Sequence, residues 1–319
     1  MRKLRLKTRL TALLLALCLL LSGCGTAEPW EGGVPEKQSA PGAETKREAA
    51  AAYEAPPIAT AAFHADKAEG DERTKIDLSA VDEGYVAVSA SSDKRLKFQV
   101  LKDEYTYNYD ISSDGEPSIF PLQCGDGRYT FRVMENIADN KYAQIYSANC
   151  NVTLRDEFQP FLRPSDYSNY SEQSECVRKA AQLSEGCSDR LELVSAVYKF
   201  ICSRIRYDYD KATSVQSGYL PDVDETFLSG KGICFDYASL AAAMLRSQGI
   251  PTKIIFGYVA PDNLYHAWNM FYTEESGWVT VSFSVDEKSW NRIDLTFSAS
   301  GADNKFIGDG TNYTDVYFY

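Results

Sequence analysis

The stretch "GKGICFDYASLAAAMLRSQGIP", residues Gly230 to Pro251, reads as one helix with both of its ends written in. Gly232 lets the chain turn in, Gly249 suits a left-handed C-terminal cap, and Pro251 forbids continuation. Between them Ala238, Ala241, Ala242 and Leu245 form a small-residue stripe, so the spacing predicts a helix packed closely on a sheet. Cys234 falls in the first turn, where unpaired amides and the positive end of the helix dipole favour an anion. Thiolate is the nucleophilic form of cysteine, so the segment that decides the fold also raises a question of chemistry.

A thiolate that attacks a carbonyl needs a base to take its proton and return it to a leaving group. The chain has two histidines. His64 lies in "TAAFHADKAEG", a stretch without apolar period, which leaves His266 in "NLYHAWNMFY", on a predicted strand after the helix. A third group should hold the imidazole in one tautomer. Asp294, between Ile293 and Leu295 in "WNRIDLTF", is an aspartate inside a predicted strand, where that residue type is uncommon and asks for a partner.

Upstream, "GYVAVSA", "LKFQVLK", "YTYNYDI", "RYTFRVME" and "YAQIYSA" alternate with period two between Gly, Asp and Asn turns. They predict a small all-β domain over 75–155. From 156 the pattern turns helical in "SECVRKAAQLSEG" and "SDRLELVSAVYKFICSRIRY", with Ser188 as the expected N-cap of the second. Helices followed by "TKIIFGYVA", "YHAWNMFYT", "GWVTVSFSV" and "WNRIDLTF" predict an α+β fold whose C-terminal domain, 156–319, joins helices to an antiparallel sheet.

Taken in order, "GKGICFDYASLAAAMLRSQGIPTKIIFGYV", "YHAWN" and "WNRIDLTF" resemble the Cys, His and Asp motifs of the transglutaminase-like superfamily, whose fold is related to the papain-like proteases. The resemblance covers about residues 156–319. It implies Cys234 as nucleophile, His266 as base and Asp294 as orienter, with a thioester formed from a peptide or protein amide and resolved by water or an amine. The Cys234 amide is the expected first oxyanion donor. Tyr207, Tyr209 and Trp268 are candidates to line the cleft. One departure stands out: the first aromatic-led strand after His266 is "GWVTVSFS", which puts Ser282 where the family pattern expects the acid. Asp294 is preferred because "WNRIDLTF" repeats the aromatic lead, and Asp286 is the weaker substitute.

The N-terminal residues run from a basic stretch through a leucine-rich segment to Leu21-Ser22-Gly23-Cys24. That order resembles the signal peptide and lipobox of bacterial lipoproteins, implying removal of 1–23 and a lipid on Cys24. Five basic and no acidic residues would leave with it, taking the formal charge from −12 to −17. Such an acidic surface disfavours nucleic acid and anionic membrane surfaces. Residues 24–74, rich in Ala, Glu, Pro, Gly and Lys, predict a disordered tether from which the body stands off the extracellular face of the membrane. Partners are then a protein or peptide substrate and, for the β domain, cell-wall components.

In an exported chain the remaining cysteines are expected to include disulfides, Cys124 with Cys150 and two of Cys176, Cys187 and Cys202. A disulfide at Cys234 would favour the alternative function, a non-catalytic surface protein that keeps the fold for binding. No C-x-x-C spacing supports zinc, and "DNKFIGDGTNYTD" lacks the register of a calcium loop, so Asp303, Asn304 and Asp309 read as a polar turn. No phosphate loop or dinucleotide fingerprint appears, and no metal or cofactor is expected.

Overall fold

The computed structural model describes residues 52–259, 264–286, 289–294 and 313–319. Cys24 and its lipobox, and the polar turn with Asp303, Asn304 and Asp309, lie outside the described residues.

The N-terminal part has eight strands: β1 (Glu69–Gly70), β2 (Thr74–Asp77), β3 (Tyr85–Ala90), β4 (Leu96–Lys102), β5 (Tyr105–Ile111), β6 (Ser118–Pro121), β7 (Gly127–Ala138) and β8 (Lys141–Val152). They form two four-stranded antiparallel sheets, ordered β1-β2-β3-β6 and β5-β4-β7-β8. Period-two burial is plain in β4, where Leu96, Phe98 and Val100 are buried and Lys97 and Gln99 between them are not. Phe98 stacks on Phe120 of the other sheet at 5.4 Å, so the two sheets share one core.

The C-terminal part runs α1 (Glu175–Ser184), α2 (Arg190–Arg204), β9 (Arg206–Tyr207), α3 (Tyr209–Ser214), α4 (Val223–Ser229), β10 (Lys231–Gly232) and α5 (Cys234–Arg246). Then come β11 (Thr252–Val259), β12 (Leu264–Thr273), β13 (Gly277–Asp286), β14 (Ser289–Asp294) and β15 (Tyr313–Phe318), in an antiparallel sheet ordered β14-β13-β12-β11-β15. The fold is α+β, an all-β region leading into helices and an antiparallel sheet. The α2 cap falls one residue later than expected. Asp189 accepts the Glu192 amide, while Ser188 is occupied by the Glu192 carboxylate through its own amide and hydroxyl.

Helix α5 is buried from Phe235 to Arg246, the burial pattern of a helix enclosed on all sides. Its small stripe serves two neighbours: Ala238 and Ala242 join the core of the β sheets, whereas Ala241 and Leu245 join the core of the helices. Arg246 secures its far end, donating to the carbonyls of Thr252, Arg163 and Tyr319 at 2.9–3.0 Å. Burial pulls that guanidinium down to a pKa of about 10. Asn269 ties α5 to the sheet by donating to Ala238 O and Lys253 O, and accepts from the Tyr198 hydroxyl on α2.

A chain of rings joins the two parts. Tyr109 of β5 meets Tyr167 at 5.7 Å, Tyr167 stacks on Tyr319 at 4.1 Å, and Phe235 of α5 meets Phe256 at 4.8 Å. All belong to or pack on one core, so the β region and the helical region are not separated by solvent.

Two expectations are corrected. Residues 52–74 are not a free tether: Tyr53 donates its amide to Cys187 O and its hydroxyl to Gln248 O, and Arg163 reaches Thr60 O. Pro56 lies against Gly249, whose φ of +73° and missing Cβ make room for it. Average composition hid two local anchors, Tyr53 and Ile58, which pack on the helical core. The second correction concerns the cysteines. Cys124, Cys150, Cys176, Cys187, Cys202 and Cys234 are all free thiols. They pack as small apolar groups on the two cores, and burial pushes the Cys176 and Cys202 thiols up to about 12.

Candidate active site

The entry to α5 is built by a short parallel pairing. Arg206 donates to Gly230 O and Asp208 to Gly232 O, which sets the end of α2 beside the segment leading to Cys234. Gly232 is needed there, because a Cβ would come within 2.6 Å of Asp236 Cβ. The reason for that approach is the Asp236 carboxylate, which turns back to accept the Ile233 amide at 2.7 Å. This is the carboxylate half of a capping box, with an N-cap residue that has no side-chain oxygen to supply the other half.

Asp236 is fully buried and has two further donors. The Lys211 ammonium lies 2.9 Å from Oδ2, and the Tyr219 hydroxyl donates to Oδ1. Lys211 also sits over the Tyr219 ring at 4.5 Å. A buried carboxylate with an ammonium, a phenol and an amide around it fixes the helix start and the 215–220 loop together.

Cys234, at the first position of α5, is partly buried and lines a cleft of about 480 Å³ with His266. The amides of Ala267, Phe235 and Cys234 itself favour the thiolate, while burial and the Asp236 charge oppose it. Burial is the largest of these effects and the thiol is pushed up from its ordinary value. The helix-end amides expected from the sequence are present at the sulfur, and burial opposes them.

His266 stands on β12 opposite Gly257 of β11, one residue before the Ala267 amide that faces the sulfur. Its ring lies nearly parallel to that of Trp268, 6.4 Å away. Trp268 itself is 1 % exposed, so it backs the histidine from the core instead of lining the cleft. Tyr207 and Tyr209 meet edge to face at 5.0 Å. Tyr207 is half-buried with a phenol pushed up to about 12, mainly by burial and then by the Cys234 thiol nearby, and Tyr209 is exposed. Among the described residues the cleft is lined instead by Tyr219, Phe235, Phe256 and Tyr265.

The sheet register places the third expected residue further away. Asp294 pairs with Ser282 on β13, and β13 lies between β14 and β12. Two strand spacings separate Asp294 from the His266 strand, about 9–10 Å between backbones. Ser282 is on the strand next to β12, in the position where the family pattern expects an acid. The register puts Asp294 on the strand beyond β13, two strands from that of His266.

Asp236, Lys211 and Tyr219 were not picked out from the sequence. An aspartate two residues after the cysteine, inside an otherwise apolar helix, was the available signal for the first. Lys211 and Tyr219 sit on α3 and in a loop, where no periodicity marks them.

A family model described as the transglutaminase-like superfamily matches residues 177–283, from α1 into β13. The chain carries a transglutaminase-like domain, and Asp294 lies beyond the matched residues. Among curated relatives, the UPF0252 protein of Methanocaldococcus jannaschii is 26% identical over 133 residues, 38% of this chain and 36% of that protein. An uncharacterized protein of Mycobacterium leprae is 27% identical over 177 residues, 52% of this chain and 56% of the other. The chain thus spans between about a third and just over half of the length of these relatives. Among solved structures, a candidate cysteine protease from Cytophaga hutchinsonii has 15% identity and a TM-score of 0.38, covering 79% of this chain and 73% of that one. EGTA-treated LapG of Legionella pneumophila has 17% identity and a TM-score of 0.29, covering 46% and 80%. At these scores the superpositions carry no functional inference.

Proposed function

We propose that the protein is a cysteine enzyme acting on peptide or protein amides, with Cys234 as nucleophile and His266 as base. One observation carries the reading: the Cys234 sulfur, at the start of a rigidly capped helix, faces the Ala267 amide and shares a cleft with His266. Sγ attacks the carbonyl and its proton passes to the imidazole. The C–N bond then breaks, and the leaving amine or ammonia takes that proton. Water or a second amine attacks the thioester, giving the acid or a new amide and restoring the thiol. Burial opposes ionisation of the thiol, so the imidazole takes the proton as Sγ attacks.

The test separates the two groups by pH. Alkylation of Cys234 by iodoacetamide follows thiol ionisation, so its rate is expected to climb through a pH above the ordinary thiol value of about 8.5. Amide turnover is expected to show a separate rise at lower pH that depends on His266. His266→Ala should erase the earlier rise and leave the later one. Asp294→Asn should change either little, given its place two strands out. Turnover that keeps its profile without His266 rules out the base role.

We further propose that the enzyme is held at the extracellular face of the membrane by lipid on Cys24, a reading supported by the Leu21-Ser22-Gly23-Cys24 pattern. The mature protein is expected to begin at a Cys24 that carries lipid, read by mass spectrometry of its N-terminal peptide. A mature chain whose Cys24 is unmodified would refute the anchor.

A further inference from the structure

The cleft that contains Cys234 and His266 is not enclosed by the helical region alone. Lys97 on β4 and Asn108 and Asp110 on β5 line it as well. These residues stand on paired strands, Lys97 opposite Asp110 and Gln99 opposite Asn108, and β5 is the edge strand of its sheet. The hairpin is held at a set distance from the sulfur by the 215–220 loop. At one point Gly218, with φ +85°, approaches so closely that a Cβ would lie 3.2 Å from Asp110 Oδ2. At the next residue the Tyr219 hydroxyl is bound to Asp236 on α5.

The lysine and aspartate of this enclosure are paired within it. Apart from His266, the charged residues among the described lining are Lys97 and Asp110, and they pair with each other at 2.7 Å. A charged substrate side chain therefore finds no unpaired counter-ion on this wall. Around the sulfur the surfaces are rings in edge-to-face contact: Phe235 with Phe256 at 4.8 Å, and Tyr219 with Phe235 at 6.3 Å. Those phenylalanines form the buried floor, and the half-exposed Tyr265 and partly exposed Tyr219 present ring faces to an entering side chain.

We infer that the cleft selects acyl donors that carry a large apolar or aromatic side chain beside the reacting carbonyl, with the β4–β5 hairpin bounding the space that this side chain enters. The inference rests on Cys234 being the nucleophile, and the test keeps the two apart. The full chain is treated with peptidyl chloromethyl ketones that differ only in ending in phenylalanine or glycine. Alkylation of Cys234 is followed by mass spectrometry, and each rate is divided by the same protein's iodoacetamide rate. The phenylalanyl probe is expected to react at least about tenfold faster than the glycyl probe. Asn108→Trp, at an exposed position, fills the wall and should lower that ratio by about tenfold. Glu104→Trp, on the same hairpin but outside the lining, should leave the ratio unchanged. A ratio near one in the unaltered protein, or one untouched by Asn108→Trp, overturns the inference while the nucleophile stands. Failure of Cys234 to react with any electrophile, iodoacetamide included, removes both.

Discussion

Cys234→Ala is expected to lower amide turnover by about 10³-fold or more, which corresponds to about 4 kcal/mol of lost transition-state stabilisation. The substitution removes the only atom of that residue that can form the thioester and replaces a side chain of similar bulk at a partly buried helix position. Stability should therefore change little, and circular dichroism with a thermal melt should show the same fold. Three readouts cover the outcomes of one intermediate: ammonia release, incorporation of a fluorescent amine into casein, and peptide cleavage. Loss of whichever of these the unaltered protein shows is the expected result. A Cys234→Ala variant that keeps its activity would place the chemistry elsewhere in the chain.

Asp236→Ala is expected to be the most damaging change to stability near the cleft. Removing the carboxylate leaves the Ile233 amide and the Tyr219 hydroxyl without their acceptor at a fully buried site. Lys211 loses its ion partner too, though its side chain is 27 % exposed and turns to water at reduced cost. Together these amount to about 3 kcal/mol and a fall in Tm of roughly 10 °C. Asp236→Asn keeps the shape and some of the hydrogen bonds, so it should fall between the variant and the unaltered protein. Because Tyr219 anchors the 215–220 loop, both substitutions should also weaken discrimination between bulky and small electrophiles at Cys234. An Asp236→Ala protein with unchanged Tm would mean that the buried carboxylate does not hold the helix start.

Much of the fold was legible before any coordinates. Period-two alternation located β4, β5 and most of β7, because each has one face on a core and one toward solvent, whereas β3 was legible by its β-branched and aromatic residues and is buried on both faces. Short or late strands were not legible: β6 is four residues long, and β15 follows a polar segment that has no period of its own. Ser188 and Asp189 are both good caps, and a one-residue choice between them turns on which side chain Glu192 engages. The disulfide expectation came from counting cysteines, and counting does not register that a buried thiol can serve as a small apolar side chain.

What the residues determined by themselves was the nature of α5 and its chemistry. Glycines and proline bound it, alanines let it pack, and a cysteine at its first position pointed to His266, on a strand after the helix, as the candidate base. These are consequences of local geometry and of which side chains can carry a proton. Tertiary structure decided the rest, because the rest depends on neighbours distant in the chain. Strand register set Asp294 two strands out, and enclosure of the sulfur raised the thiol despite the amides around it. Asp236 became the hub of the helix start, and Lys97, Asn108 and Asp110 were brought to a cleft whose cysteine lies more than a hundred residues further on.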